Sequence, residues 1–453
     1  MQQRLIFQLG TNNWQRQGEF APGSGILHEA HHNAYNQIDG VTCYSIYPSK
    51  TQTSDDPQIS IFRLTHDIPI CESISPISNY RFHSMSETEF NAYVDRLQAF
   101  TADRIDAAEA AEGHPVDLAI AHHSFLNPLV LSRINRERAA AGRPEFKLLC
   151  FVHGTALKMF AHEKAGIDGD YPSRFLPFMQ NEKVFVGDKN VHACAAISNE
   201  QLQKFADIFD EFPSDKMILS LNGYDTSIFK PESITGEGRA QFLAGLELAE
   251  SPVAGAPKRI DSNPDKVVVF CGKFADWKRL DTVLGAAARW EQDANIATLV
   301  IGSGPDDAIA HYHKMAYEQL GLRNTWFLGP RPHADIARLN SAADIGVYPS
   351  RNEPFGLVLI ECMACGTPVI GANSGGPRDF VTGDVGSLVK ESEGAELVDA
   401  IYAEVSKALA EDWKGTKGLT AASYAADNFS VEGQCRRLLE DTGIIDAEKK
   451  LAV

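Results

Sequence analysis

Tyr348-Pro-Ser-Arg-Asn-Glu353-Pro-Phe-Gly356-Leu-Val-Leu-Ile-Glu361-Cys-Met-Ala-Cys-Gly366-Thr-Pro368-Val-Ile370 is the most informative stretch of this chain. It reads as a strand end, a glycine-bearing loop and a helix. Backbone N–H groups around Phe355, Gly356 and Leu357 then stand at a helix N-terminus without intrahelical acceptors. Donors and dipole together favour an anion such as a diphosphate there, and Gly356 lets a ligand approach closely. Glu353 lies in the loop and Glu361 about two turns into the helix, so they address two different polar groups of an extended ligand and do not share a proton. Hydroxyl pairs of a sugar suit such acceptor-only carboxylates. The plain alternative is two surface glutamates, one merely favouring its helix terminus.

Outward from this stretch, short β-branched runs alternate with amphipathic segments. The expected strands are Leu5–Leu9, Leu118–Ala121, Leu148–Val152, Ala193–Ile197, Val267–Cys271, Thr298–Ile301 and Ile345–Pro349. Between them, Glu87–Ala111, Asp281–Asp293, Asp306–Leu320 and His333–Ala343 carry apolar residues every three or four positions. The pattern is that of a parallel α/β protein with crossover helices. It is interrupted at Leu221-Asn-Gly-Tyr-Asp, at Phe229-Lys-Pro and in the Pro-, Gly- and Ser-rich region near 250–263, before a new strand starts at Lys266. Domains over 1–221 and 222–428 follow, each of ordinary α/β size. Parallel sheets bind ligands at the carboxyl ends of their strands, so two such domains facing each other imply a cleft that holds the chemistry.

The 453 residues carry 42 Lys plus Arg against 60 Asp plus Glu, a net charge of −18. That balance disfavours nucleic acid and anionic membranes as partners. With 44% hydrophobic and 23% charged residues the chain is neither disordered nor fibrous. The opening Met1–Leu9 reads as a strand and not as a signal peptide, no window approaches a spanning helix, and a soluble cytoplasmic protein is expected. The eight cysteines are mostly scattered singly, as suits reduced core thiols. Cys362 and Cys365 form one C-x-x-C with no second pair and no ligand-spaced His.

An ordered series of motifs surrounds the opening stretch. It comprises Asn222-Gly223-Tyr-Asp225 with Phe229 and Pro231, Gly272-Lys273 with Lys278, Ile301-Gly302-Ser-Gly304, Phe327-Leu-Gly329, Ala343-Asp344, Tyr348-Pro349-Ser350, the E-x7-E pair Glu353/Glu361, Gly366-Thr-Pro368 and Gly375-Gly376. Over residues 222–389 the sequence thereby resembles the glycosyl transferases group 1 family, the large retaining group that includes glycogen, sucrose and phosphatidylinositol-mannose type synthases. The resemblance implies a GT-B fold, two facing Rossmann-like domains with an interdomain cleft, and metal-independent transfer of a hexose from a nucleoside-diphosphate sugar to an acceptor hydroxyl; UDP is favoured as a prior, and the lack of an obvious basic or amphipathic membrane patch favours a small soluble acceptor. No other cofactor is implied.

In this reading Glu361 binds the ribose hydroxyls, while Glu353 and the backbone of Pro354, Phe355, Gly356 and Leu357 hold the hexose. Lys273 and Lys278 face the diphosphate beside Gly272 and Gly304. Lys273 stands where the family usually has Arg and supplies a point charge without the bidentate fork; two solvated lysines at a helix mouth are the plain alternative. In the N-terminal half, Pro22-Gly-Ser24-Gly25-Ile26 ahead of an expected helix Leu27–Asn36 resembles the family's glycine-rich loop, with Ser24 where a second Gly is usual. Ala121-His122-His123-Ser124 resembles its His-bearing strand end, with His123 on the acceptor side, an architectural His pair being the alternative. Phe151-Val-His153-Gly-Thr155 offers His153 for the reacting face of the sugar, against a core or capping His. The segment from Phe429 to about Ile444, within 429–453, resembles the last helix that packs back on the first domain, and hinge closure would complete the site.

Other groups read as architecture. His28, His31 and His32 lie at i, i+3 and i+4 without a further ligand and are expected to form a polar helix face. Asp168-Gly-Asp170 is only superficially a metal-binding D-x-D. Arg133–Lys147, basic within an acidic protein, is expected as a solvated loop. A dinucleotide oxidoreductase would need the full G-x-G-x-x-G that Gly302-Ser-Gly304 lacks. A pyridoxal-phosphate phosphorylase would be longer, and a non-catalytic nucleotide-sugar sensor shares the fold without deciding activity.

Overall fold

The computed structural model describes residues 3–14, 23–65, 86–124, 126–154, 157, 184–185 and 191–447. Its contacts divide the chain into two compact units, 1–222 with 431–453, and 223–430.

The first unit is a parallel sheet in the order β3-β2-β1-β4-β5-β6-β7. Its strands are β1 (Arg4–Leu9), β2 (Val41–Ser49), β3 (Ile59–Arg63), β4 (Leu118–His122), β5 (Lys147–Val152), β6 (Ala193–Ala196) and β7 (Met217–Leu219). The helices are α1 (Gly23–Tyr35), α2 (Glu87–Glu112), α3 (Asn127–Ala140), α4 (Asn199–Ile208) and, from the far end of the chain, α12 (Val431–Asp441). Strand alternation sorts the two faces. Phe7, Leu9, Ala119, Ala121, Cys150 and Val152 point to one face and form a hydrocarbon core with Phe90, Val94, Leu97 and Ile105 of α2 and Leu129 and Ile134 of α3. Helix α2 starts on a capping box, in which Ser86 and Glu89 exchange side-chain-to-backbone bonds. The other face lies under α1, against which α12 packs. Phe429 ends the preceding helix and Ser430 is extended at ψ 138°, so α12 begins two residues later than the expected segment.

Two expectations are corrected here. The run Arg133–Lys147 is mostly the second half of α3 and the turn after it, and its charges are answered by α2: Arg138 is buried and meets Glu109 at 2.6 Å, and Arg143 meets Asp106 at 2.5 Å. The histidines of α1 are not a polar face. His28, His31 and His32 are at most 3% exposed, because α1 is covered by the sheet below and α12 above.

The second unit repeats the pattern with strand order β10-β9-β8-β11-β12-β13, again parallel. Its strands are β8 (Lys266–Cys271), β9 (Ile296–Ile301), β10 (Thr325–Gly329), β11 (Ile345–Tyr348), β12 (Val369–Ala372) and β13 (Gly386–Val389). Helices α5 (Gly236–Ala244), α6 (Leu280–Asp293), α7 (Asp306–Lys314), α8 (His333–Ala342), α9 (Leu357–Ala364), α10 (Gly394–Ala410) and α11 (Trp413–Phe429) complete it. The expected helix over 306–320 is α7 followed by a π-helical turn, Met315–Gln319. Asp344 pins β8 beside β11: its carboxylate accepts the Val267 N–H at 2.8 Å and pairs with Arg239 at 3.0 Å. The seven described cysteines are free, six of them buried. Among the described residues no helix is long and apolar enough to cross a membrane.

Burial holds the imidazoles of α1 neutral: His31 and His32 are pushed down to about 4 and His28 lies well below the ordinary value. About one unit or more above pH 6.5 neither the native nor the unfolded chain protonates them, so they add no pH dependence there. Below pH 6.5 the unfolded chain takes up protons that the native fold refuses, and stability falls until the native values are reached. The expected loss is about 1.4 kcal/mol per histidine by pH 5.5. Urea unfolding followed from pH 8 to pH 5 checks this, and an unchanged midpoint between pH 7 and 5.5 contradicts it.

Candidate functional site

In each unit the strand order reverses beside the first strand of that unit, between β1 and β4 and between β8 and β11. The carboxyl ends at such a reversal are where loops part and a ligand can enter.

In the second unit, β8 ends at Cys271, and Gly272-Lys273 leads to a short 3-10 turn, Asp276–Lys278. β11 ends at Tyr348 and leads through the Glu353 loop into α9. The two connections are laced together. Arg351 N–H donates to Trp277 O at 2.7 Å, while Asn352 N–H to Ser374 Oγ at 2.9 Å and Gly376 N–H to Glu353 O at 2.8 Å tie the Glu353 loop to the segment after β12. Lys278 Nζ donates to Glu353 Oε2 at 2.5 Å and lies over the Trp277 ring, 4.3 Å from its centroid. Lysine and glutamate, which the sequence assigns to different groups of a ligand, therefore form one nearly buried ion pair. Lys273 stands exposed earlier in the same connection. Phe274 N–H donates to Ser303 O at 2.9 Å, which sets the Gly272 segment against the Gly304 loop.

Gly356 has φ 104°, a left-handed conformation that turns the loop into α9 and costs least for glycine. In the first turn of α9 Leu359 N–H donates to Gly356 O at 3.0 Å, which leaves the amides of Phe355, Gly356 and Leu357, ahead of any intrahelical acceptor, as the available donors. Pro354 is a correction: proline has no N–H and can contribute no amide. The Phe355 side chain is buried against Phe380, at 5.3 Å between ring centroids, so its contribution is also through the backbone. Glu361 is half-buried on α9 within electrostatic range of Cys271, as is Lys278. Burial pushes the Glu361 carboxyl up to about 7. The structure thus brings Gly272, Lys278, Glu353 and Glu361 to the ends of β8 and β11.

In the first unit Ser24 and Gly25 lie in the first turn of α1, which starts at Gly23; the expected helix Leu27–Asn36 began four residues too late. Ser24 Oγ accepts from Asn12 Nδ2 at 2.7 Å. Gly25 packs so closely on Asn13 O that a Cβ there would collide with it. Pro22, Thr155, Asp168 and Asp170 lie outside the described residues.

His153 follows β5 and is 8% exposed. Its Nε2 meets His122 Nδ1 at 2.8 Å, and the two rings stack with centroids 5.1 Å apart. His122 Nε2 meets Gln8 Oε1 at 3.0 Å. Desolvation lowers both imidazoles well below their usual range. His123 adopts φ 69°, strained for a non-glycine residue, is buried, and among the described residues neither ring nitrogen has a hydrogen-bond partner. Its ring lies 4.7 Å from that of His153. His122, not His123, is the histidine bonded to His153, and sequence reading passed over it. The pairing is one of register: His122 pairs with Phe151 on the neighbouring strand, so His122 and His153, two residues beyond Phe151, share a face, which residue order alone does not show. Among the described residues no group of three or more His, Cys, Asp or Glu is arranged to hold a metal ion.

Residues 256–414 match the family described as Glycosyl transferases group 1. The D-inositol 3-phosphate glycosyltransferase of Corynebacterium glutamicum is 32% identical over 219 residues, which are 47% of this chain and 48% of that protein. The match therefore spans about half the length of that relative. Among solved structures, sucrose-phosphate synthase from Thermosynechococcus elongatus is similar over 96% of this chain and 97% of its own, with TM-score 0.64 and 18% identity. Anabaena HepE in complex with UDP is similar over 98% and 100%, with TM-score 0.63 and 17% identity. Residues 256–414 of this chain thus match the glycosyl transferases group 1 family, and the chain has a GT-B fold of two parallel-sheet α/β units.

Proposed function

We propose that the protein is a retaining glycosyltransferase that moves a hexose from a nucleoside-diphosphate sugar, UDP favoured, to a hydroxyl of a small soluble acceptor. The observation that carries this reading is the convergence of Lys278, Glu353, Glu361 and the open N-terminus of α9 at the ends of β8 and β11. A diphosphate needs cations and amide donors, and a sugar with its ribose needs carboxylate acceptors spaced along it. The family match over 256–414 supports the reaction class. The UDP bound to HepE supports the donor, and the name of the Corynebacterium relative supports a small polar acceptor.

Glu361 then holds the ribose, and Glu353 and the amides of 355–357 hold the hexose. Lys273 and Lys278 stabilise the departing diphosphate, with Lys278 shared between the phosphate and Glu353. From the first unit, Ser24 and Gly25 offer backbone to the diphosphate, His153 lies against the reacting sugar, and His123 serves the acceptor. The acceptor oxygen bonds to the anomeric carbon on the face from which the phosphate leaves. The carbon–phosphate-oxygen bond breaks, and the acceptor's proton passes to the departing phosphate oxygen. The protein supplies position and electrostatics, with no covalent intermediate.

Thermal unfolding with UDP-, GDP-, ADP- and dTDP-glucose tests the donor. One of them, at a hundred times its Kd, should stabilise the fold by about 2.7 kcal/mol, and no shift with any of the four contradicts the reading. Glu361→Ala should weaken donor binding about tenfold or more, and Glu353→Ala should lower turnover by a similar factor, with both variants folded. Wild-type values in either variant remove that residue's assignment.

The Glu361 carboxyl near 7 adds a sign. Only the ionised form accepts two hydroxyls, so UDP-glucose affinity should rise about tenfold from pH 6 to pH 8. The rise should vanish in Glu361→Gln, and equal affinities in the wild type at the two pH values would exclude a ribose role for this carboxylate.

A further inference from the structure

One face of the first sheet carries a continuous line of polar side chains beneath α1. Cys43 pairs with Ile6, Ser45 with Gln8, Gln8 with Ile120, and His122 with Phe151 across neighbouring strands. Residues two apart on a strand share a face, so Cys43, Ser45, Gln8, His122 and His153 stand together. Most polar groups on that face are buried, and their hydrogen bonds run in one direction.

Two groups set the direction: a backbone amide at one end, which can only donate, and the Gln8 side-chain amide, whose nitrogen faces Cys43 and Ser45 and whose oxygen faces His122. Cys43 N–H donates to Asn36 Oδ1 at 2.8 Å. That orients the Asn36 amide, whose Nδ2, a donor only, faces Cys43 O and His32 O at 3.2 Å each and His32 Nε2 at 3.3 Å. His32 Nε2 is therefore the acceptor, and its Nδ1 carries the proton given to Ser45 Oγ at 2.9 Å. Gln8 Nε2 donates to the same Ser45 Oγ at 3.2 Å and to Cys43 Sγ at 3.3 Å. Its Oε1 is thus turned to His122, so His122 Nε2 is the donor at 3.0 Å and His122 Nδ1 the acceptor. His153 Nε2 lies 2.8 Å from that acceptor and must carry the proton. What remains is His153 Nδ1, which makes no hydrogen bond among the described residues and is not among the fully buried unsatisfied atoms.

We infer that His122 is a positioning residue that, through Gln8, locks His153 in the Nε2–H tautomer and so presents His153 Nδ1 to the substrate as a hydrogen-bond acceptor. The ligand group it selects is a donor, a sugar hydroxyl at the reacting end, and not a phosphate oxygen, which would need an N–H. A neutral imidazole has one donor and one acceptor, and a fixed partner on one nitrogen decides the other. The inference deepens the proposed function, since it rests on the part given there to His153.

The experiment combines nitrogen NMR of 15N-histidine-labelled protein with steady-state release of UDP from UDP-glucose. The His153 resonances are assigned by their loss in His153→Ala. In the wild type, His153 Nδ1 should be unprotonated and Nε2 protonated. His122→Phe keeps a ring but offers no acceptor; it should shift His153 toward a mixture of tautomers and lower kcat about tenfold, with KM for UDP-glucose little changed. His122→Asn places an oxygen near the lost Nδ1 and should recover the Nε2–H tautomer and most of the rate. A protonated His153 Nδ1 in the wild type, or an unaltered tautomer in His122→Phe, overturns the inference. A merely structural role would lower the melting point in both variants without moving the tautomer. If His153→Ala releases UDP at the wild-type rate, the role given to His153 in the proposed function fails, whatever the tautomer.

Discussion

In a parallel sheet each strand must be followed by a crossover before the next strand can pair, and the chain therefore leaves every strand at the same end. Where strand order reverses, neighbouring crossovers depart to opposite faces and the loops at the carboxyl ends separate. Both units have this reversal, β1 against β4 and β8 against β11. The residues with chemistry to offer collect there: Gln8, His122 and His153 in one unit, Gly272, Lys278, Glu353 and Glu361 in the other. The sheet interiors, packed with Val, Ile, Phe and Ala, hold those ends in register.

That position has an electrostatic cost which the two units meet differently. In the second unit the charges are kept and paired. Lys278 answers Glu353, and deeper in the fold Asp344 answers Arg239, Lys266 and the Val267 amide. Backbone bonds from Arg351, Asn352 and Gly376 hold the Glu353 loop, so the carboxylate need not rely on its lysine for position. In the first unit the charges are removed. His28, His31, His32, His122, His123 and His153 are buried and held neutral by desolvation. A neutral imidazole can be buried if its nitrogens are matched, and the run from Cys43 N–H to His122 Nδ1 matches them in turn. Among the described residues His123, strained and with neither ring nitrogen hydrogen-bonded, departs from that rule beside the proposed site, as do His28 Nε2 and His31 Nδ1 on α1.

Much of the fold was legible in the chain because parallel strands, buried on both faces, appear as short β-branched runs. All seven strands expected from such runs are present within one or two residues. β2, β3, β7, β10, β12 and β13 were not picked out: Val41–Ser49 mixes apolar residues with Thr, Ser and Pro, β3 is a half-exposed edge, β10 opens on Thr and ends on Gly, and β7, β12 and β13 are only three or four residues long. The Glu353/Glu361 stretch was legible for a different reason. Its loop, helix start and second carboxylate lie within one local turn of chain, so sequence spacing is close to spatial spacing.

The first unit's site had no such local signature. Gln8, Asn36, Ser45, His122 and His153 lie on separate elements, and only the register of β2, β1, β4 and β5 makes them neighbours. The same holds for Arg138, whose charge looked free until α2 supplied Glu109, and for the histidines of α1, which looked like a solvated face until α12 covered that helix. Element type, the two-sheet plan and the acidic loop–helix motif follow from residue order, because short-range periodicity and turn chemistry act along the chain. Which polar groups are buried, which charges are cancelled and which nitrogen of His153 is left open were settled by packing, because those depend on partners that only long-range strand pairing brings within hydrogen-bond distance.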